Sequence, residues 1–535
     1  MVPFTRQLGP RSGIQLNPLL DNSERAVSGN ADQTFAVVGR FERGRIDKAF
    51  RVNRSNLQRL LGTPSSLQVS ALNEAFVHIY DTLQNGGYEA VVYRLNVAGA
   101  TNNFLVVSDA LLLADALKAE AVPTAGYAFT LKHLECFNDG IVLEVNADKT
   151  FDVDGITPIA SKMVNVRLRD SGSNEILYEF SGSLDPTAKD DFGQSIYLTD
   201  VVAMLTDNLE CVVAASADIA TTAIFYGLNG DGTKKWATAS LAYFTEGGTA
   251  YELTDYDRAC AALKYGDHSF GYMIGGGTRA VPLLSKMILL GKDINKQFAW
   301  DVPGEYTVEQ AIAFVEQLSV DTHYSQAYWA PLKSDDPVNG GKAYLGTSCI
   351  NIGKRCLRNA STDSNGIPPM NWVVAGKEFP LERTGIIQVL TPTEQELDDL
   401  ARAKINPVLF QRYADGGKYV FVDSLTGAKT EADRKLIAVA DMSSRTDDLV
   451  TQFAQGVMQK PMKAAIKMTT DFMQKHFEAL ETAEWIKPSK DLDGAAFAFT
   501  VAPNGQRPSD RLDVSYWLKY DGTVRAIYVQ QTISR

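Results

Sequence analysis

From Thr34 the chain reads TFAVVG, an unbroken apolar run that stops at Gly39, the pattern of a short strand buried on both faces. RVNRSNLQRLLG follows, with Ser55 as the expected N-cap of a short helix that Gly62 ends. In SALNEAFVHIYDTLQNGG, Leu72, Ala75, Phe76, Ile79, Tyr80 and Leu83 recur at helical spacing after Ser70, and Gly86-Gly87 close the run before the strand pattern YEAVVYRL. Strand, helix, helix and strand in this order predict a sheet layered with helices.

Beyond residue 100 the pattern changes. ALLLADALKAEA predicts a helix, and MVNVRLRD and EILYEFSG alternate as two strands joined by SGSN, so a mostly β insertion is expected. Mixed α/β patterning returns after residue 200. EYTVEQAIAFVEQL carries a capping box of Thr307 with Gln310, and TPTEQELDDLARAKINP a second, Thr393 with Glu396, stopping before Pro407. SSRTDDLVTQFAQGVMQ predicts a helix capped by Ser443 or Ser444. Pro461 fits the first turn of another, on which Met462, Ile466, Thr469, Met473, Phe477 and Leu480 share a stripe opposite Lys463 and Lys467, with Lys475 flanking.

The end of the chain alternates from Leu512 to Lys519, then places Asp521-Gly522, a pair favoured in two-residue hairpin turns, before Thr523–Ile533. The expectation is a terminal hairpin whose last strand leaves one long, weakly charged edge open, a template for another chain. Residues 1–30 hold no sustained period, yet Phe4, Ile14, Leu16, Leu19 and Leu20 are apolar for a solvated tail, which favours an extended arm ordered on another subunit.

Composition narrows the function classes. The 535 residues have ordinary globular composition and a net charge of −12, which disfavours free nucleic acid as a ligand. The five cysteines match no zinc or disulfide pattern, so buried thiols are expected. No apolar run has signal-peptide or membrane-span length. The five histidines make no catalytic constellation, with His78 and His476 on apolar helix faces. DVDG at 152–155 and NGDG at 229–232 lack the spacing of calcium loops and read as turns. Gly275–Gly277 lacks both phosphate-loop orders and reads as a structural turn. No enzyme activity, cofactor or metal is expected.

The run FAVVGRFERGRIDKAFRVNRSNLQRLLG, then EAFVHIYDTLQNGGYEAVVYRL, resembles the N-terminal part of contractile phage tail sheath proteins. The matching positions are Gly39-Arg40, Arg43-Gly44, Leu61-Gly62, Asn85-Gly86-Gly87 and Arg94, with Arg45 where the family often has proline. EQELDDLARAKINPV, with Ile405-Asn406, resembles the family's helix and "gIN" turn. RKLIAVADMSSRTDDLVTQF, the helical pair and the closing hairpin follow in the expected order, while AYWAPL and VVAGKEFPL resemble its loop segments. The "RTl" motif of cellular relatives is not evident near 412–425, a departure that favours a phage subgroup. The resemblance covers roughly residues 30–100 and 325–535.

The resemblance implies an α/β and α+β multidomain chain: an extended N-terminal arm (1–30), a layered α/β middle domain (31–100 and 201–375), an inserted β-rich outer domain (101–200), and an α+β inner domain facing a tube (376–535). It implies arms that complete neighbouring subunits' sheets, here through Phe4, Ile14 and Leu16 and through Val524, Ile527, Val529 and Ile533. The candidate tube contact is helix 462–480 with Lys463, Lys467 and Lys475. The expected function is a subunit of a six-fold helical sheath in a virion tail, assembled in a bacterial cytoplasm, with a tail tube protein, baseplate and tail terminator as partners. The alternatives are a nucleotide- or sugar-dependent enzyme using residues 201–375, or another virion building block such as a capsid or baseplate protein.

Overall fold

A computed structural model describes residues 31–67, 74–111, 113, 117–118, 126–160, 162–221 and 227–532. The predicted arm residues Phe4, Ile14 and Leu16, the N-terminal Ser70 of the second helix and the terminal Ile533 lie outside the described residues.

Among the described residues, ten strands and eight helices build the main sheet, the layers that cover it and the C-terminal hairpin with its helical pair. The strands are β1 (Thr34–Gly39), β2 (Phe50–Val52), β3 (Glu89–Arg94), β4 (Tyr272–Ile274), β5 (Gln297–Val302), β6 (Ser325–Trp329), β7 (Ile405–Tyr413), β8 (Gly416–Phe421), β9 (Phe497–Pro503) and β10 (Leu512–Leu518). The helices are α1 (Glu74–Gln84), α2 (Leu253–Tyr265), α3 (Val281–Asp293), α4 (Val308–Gln317), α5 (Ser348–Ala360), α6 (Glu394–Arg402), α7 (Ile437–Val457) and α8 (Met462–Thr482).

The first eight strands form one sheet in the order β2-β3-β1-β4-β5-β6-β7-β8. The six from β3 to β7 run parallel, and β2 and β8 close the edges antiparallel. Parallel strands need both faces covered. One face packs on α1 and α5 through Phe76, Ile79, Ile350 and Ile352, the other on α2, α3, α4 and α6 through Tyr256, Leu284, Phe314 and Leu400. Both predicted capping boxes form, at Thr307 with Gln310 and at Thr393 with Glu396. The short helix ends at Gly62 as predicted but starts after Asn56, not Ser55.

The insertion is longer than its predicted 101–200. Its strands continue through Leu209–Val213 and Ala237–Leu241 to Phe244–Thr245, because two four-stranded antiparallel sheets share one core. MVNVRLRD and the strand Ile176–Ser183 pair as expected. Leu117–Lys118, inside the run read as a helix, is a strand paired with Phe104–Val107.

The predicted inner domain also changes. Ile405-Asn406, expected from the resemblance to be a turn, begins β7, so β7 and β8 belong to the main sheet. Asn406 explains how a strand tolerates the proline beside it. Its fully buried amide donates to the carbonyls of Ala327 (3.0 Å) and Leu425 (2.8 Å) and accepts from Leu425 N–H (2.6 Å). Helix α7 starts at Ile437, six residues before Ser443. The apolar IAVADM turn is buried, Ile437 in the sheet's core and Ala438, Val439 and Met442 in a cluster with Met473 and Phe477 of α8, and Ser443 donates to the Ala440 carbonyl within the helix.

Candidate assembly surfaces

The C-terminal part of the fold is a helical pair, α7 and α8, capped by the hairpin β9–β10. Phe477 on α8 touches Phe497, Phe499 and Tyr516 at ring distances of 5.5–5.9 Å. The predicted alternation of Leu512–Leu518 holds, with even-numbered residues half-buried and Asp513, Ser515 and Trp517 exposed. The partner strand differs. β10 pairs with the upstream β9, register Phe497 with Leu518, rather than with residues after Asp521-Gly522. The face formed by Phe497, Phe499 and Val501 covers α8, and burial of that face selects the register. Lys487 holds the Asp521 carboxylate at 2.7 Å, so the residues expected to turn instead continue outward.

Residues 521–532 therefore form no strand in this chain. Val524, Ile527, Tyr528 and Val529 are 76–96% exposed, an unusual state for a run rich in β-formers. Among the described residues neither outer edge of the β9–β10 hairpin is paired. An open-edged two-stranded sheet and an unpaired strand-like segment thus occur in one chain, and an isolated hairpin is marginal by itself.

On α8 the buried stripe is Ala465, Thr469, Met473, His476, Phe477 and Leu480, with Met462 and Ile466 half-buried. Lys463, Lys467 and Lys475 are exposed and make no ion pair among the described residues. Asp471 and Glu478 lie exposed on the same helix, so its first half is the more basic. A groove of about 700 Å³ between α7 and α8 is lined by Phe453, Met458, Met462 and Phe472, with Phe453 and Phe472 stacked at 4.0 Å.

The helical pair is bound to the main sheet through charge. Asp441 on α7 is fully buried and receives Arg355, also fully buried, and Arg358 (3.1 Å), both from α5. Arg355 donates to Gln326 Oε1 at 2.6 Å and stacks over Tyr272 at 4.6 Å. Burial opposes the guanidinium's charge, yet Asp441 and its neighbours hold the Arg355 proton more tightly than usual.

Gly275–Gly277 follows β4 where the strand order reverses, the position at which open α/β sheets bind ligands. A cavity of about 300 Å³ opens there. Gly276 and Gly277 take positive φ (60° and 71°), and a side chain at Gly277 would collide with the Glu74 carboxylate. Glu74 in turn accepts from Gly346 N–H (3.0 Å) and lies 3.1 Å from His78 Nε2. The cations at the crevice have partners as well: Arg40 with Glu246 at 2.9 Å and Arg279 with Glu305 at 2.5 Å. The chain's own carboxylates thus already pair the two arginines that line the cavity. His78 is a buried, bonded core histidine, as its helix position suggests.

The motif residues near the N-terminus fasten the insertion. Arg43 bonds Asp139 (3.1 Å) and Asp170 and lies over the Phe137 ring at 4.1 Å. Buried Arg94 donates to the Gly44 carbonyl (3.2 Å) and Asn138 Oδ1 (2.8 Å). Arg45, at the position where proline is the family's common residue, reaches the Asp207 carbonyl (2.7 Å) and Asn208 (3.0 Å). Sequence reading found these positions by resemblance and missed their role, because their partners in the insertion lie 42 to 163 residues away. Charge is also segregated. Residues 101–250 hold 21 Asp and Glu against 9 Lys and Arg, leaving 43 of each in the remainder.

No protein family model and no curated protein matches the chain. Solved structures that it resembles include the sheath tail protein of Desulfitobacterium hafniense, at 12% identity and a TM-score of 0.47 over 96% of this chain and all of that one. A chain of the anti-feeding prophage baseplate in its contracted state matches at 11% identity and 0.47, over 98% and 99%. A chain of the contracted sheath complex of PVC, an extracellular contractile injection system, matches at 16% identity and 0.37, over 47% and 68%. All three likenesses are distant in sequence and loose in superposition.

Proposed function

We propose that this chain is the structural subunit of a contractile tail sheath. One observation carries the reading: Thr523–Thr532 is a strand-like segment left exposed and unpaired beside a hairpin with open edges. β-Augmentation joins such parts across subunits through main-chain hydrogen bonds. The segment of one subunit would add to the β9–β10 hairpin of a neighbour, and the arm of residues 1–30 would supply a second strand for the remaining edge. The sequence resemblance to tail sheaths supports the same reading.

Heterologous contacts of this kind do not close on themselves and build a helical tube. In the proposed assembly, subunits stack as six-fold rings around a tail tube in a virion, bounded by baseplate and tail terminator. Contraction is a rigid-body rearrangement between two packings. It drives the tube through the host envelope for genome delivery, with the exchanged strands acting as hinges. No nucleotide is required, since the difference in packing stores the energy. Helix α8 faces an acidic tube surface through Lys463 and Lys467 in its more basic first half and through Lys475 beyond it. Exposed pairs worth only ~0–1 kcal/mol each suit a contact that must release.

The test is negative-stain electron microscopy of the concentrated protein beside a variant lacking residues 1–20 and 523–535. Hollow tubes from the intact chain and small particles from the truncated one are expected. Small particles from both would remove the reading.

A further inference from the structure

A second cavity, of about 300 Å³, lies at the root of the insertion. The main-sheet side contributes Lys48, Arg51 on β2 and Arg59 on the short helix Leu57–Leu61, and the insertion contributes Glu135 and Asp207. The cations differ in how fully their donors are used. Among the described residues Lys48 has one partner, Asp207 at 2.6 Å. Arg51 lies 3.3 Å from Glu89, and its Nε is shut off from solvent with no partner among the described residues. Arg59 approaches Glu135 Oε1 only to 3.6 Å, beyond hydrogen-bond distance.

Facing them is an unmatched acceptor. The Glu135 side chain is 2% exposed. Its Oε2 lies 3.1 Å from His133 Nε2 and accepts from Tyr178 Oη at 3.0 Å, whereas Oε1 is buried with no donor among the described residues. A buried oxygen without a donor is a costly arrangement that something normally satisfies. The cavity therefore offers several spare N–H donors on three cations and, opposite, one buried spare acceptor, Glu135 Oε1, with the exposed Asp207 carboxylate at its rim. Its complement is a small anion with several oxygens and one O–H.

We propose that this cavity binds inorganic phosphate. Hydrogen phosphate gives its anionic oxygens to Lys48, Arg51 and Arg59 and its O–H to Glu135 Oε1. Sulfate matches it in size and charge but has no O–H at neutral pH, so it leaves Glu135 facing an oxyanion without a proton between them. A site built around a ligand's hydroxyl rejects analogues that lack it far more strongly than size alone allows. Bound phosphate joins β2, the short helix and the insertion, beside Arg45, which already bonds Asp207 and Asn208 of the insertion.

Equilibrium dialysis of the full chain with radiolabelled phosphate at pH 8 and fixed ionic strength tests this. Saturable binding is expected, with sulfate competing at least about tenfold less well. Replacing both Arg51→Ala and Arg59→Ala should weaken phosphate binding by at least about tenfold, because charge-assisted bonds are lost, measured at a temperature where the variant is folded. Glu135→Gln, which presents an amide donor, should bring sulfate level with phosphate. Where Glu135→Gln unfolds, the arginine variant still decides. Absence of saturable binding, equal competition by sulfate in the native chain, or unchanged binding in the arginine variant would each overturn the proposal.

Discussion

The guanidinium of Arg525 meets the carboxylate of Asp423 in two parallel hydrogen bonds, 2.7 Å from Nε and 2.5 Å from Nη2. This bidentate pair anchors the start of the terminal segment beside the end of β8, while Val524 and the residues from Ile527 onward project away. It sets the direction in which the segment leaves the body. Arg525→Glu and Asp423→Arg should each shift unfolding stability by less than about 1 kcal/mol, since one partner is partly solvated. Each should slow tube formation followed by light scattering, and the double variant should recover it. Unchanged kinetics in the single variants would mean that the pair does not guide the segment.

Ile527→Asp with Val529→Asp addresses the segment itself. Both side chains are exposed, so the urea midpoint should correspond to a change within about 0.5 kcal/mol. Tubes should be absent by microscopy. A soluble, stable, non-assembling subunit is the diagnostic combination, and loss of stability would mean that the segment packs on its own chain.

For α8, replacing Lys463, Lys467 and Lys475 by Glu should impair assembly on a tail tube and spare tube-free self-assembly. Co-sedimentation with purified tubes reads the difference. Equal recovery of native and variant protein with the tubes would remove these lysines from the contact.

Asp441→Ala should destabilise the fold by about 3–5 kcal/mol, because it leaves Arg355 charged and unpaired in the interior. Chemical denaturation measures this directly. A loss below about 1 kcal/mol would show that solvent reaches the guanidinium in the native state.

What the chain's pattern revealed and what it hid have separate causes. Local signals survived: the TFAVVG strand, both capping boxes and the stripe on α8 depend on neighbours within a few residues. Asp521-Gly522 failed as a hairpin signal because the choice of partner for Leu512–Leu518 is made by the aromatic face on Phe477, which an upstream strand fits first. Ile405-Asn406 failed as a turn because the Asn406 side chain replaces main-chain bonds, a tertiary arrangement with no local signature. The three lysines were legible as an exposed row. The arginine partners in the insertion were not, since contacts across some 100 residues leave no periodicity.

His476 gives a pH prediction. Burial, and after it the charge of Arg445 on α7, lower its pKa to about 4, against about 6.5 in the unfolded chain. The unfolded state takes up a proton first as pH falls. Stability is therefore full above pH 6.5, declines through the interval to pH 4, and levels below it. The loss at pH 5 is on the order of 2 kcal/mol. His476→Phe, which keeps a ring beside Phe472, should flatten that interval in urea midpoints measured from pH 7 to 4.5. An unchanged slope would assign the acid sensitivity to other groups.

The confinement of the net charge to the insertion has a consequence for how particles meet. The remaining 385 residues are balanced at 43 charges of each sign, so their surfaces carry little monopole repulsion that would oppose close stacking. The 12 excess negative charges belong to a body held at one root. If these bodies point outward from a cylinder, they clothe it in an anionic layer whose reach is the Debye length, about 8 Å in physiological salt. Such a coat deters sideways clumping of whole filaments and leaves end-to-end growth untouched, so raising the ionic strength should first bundle the filaments.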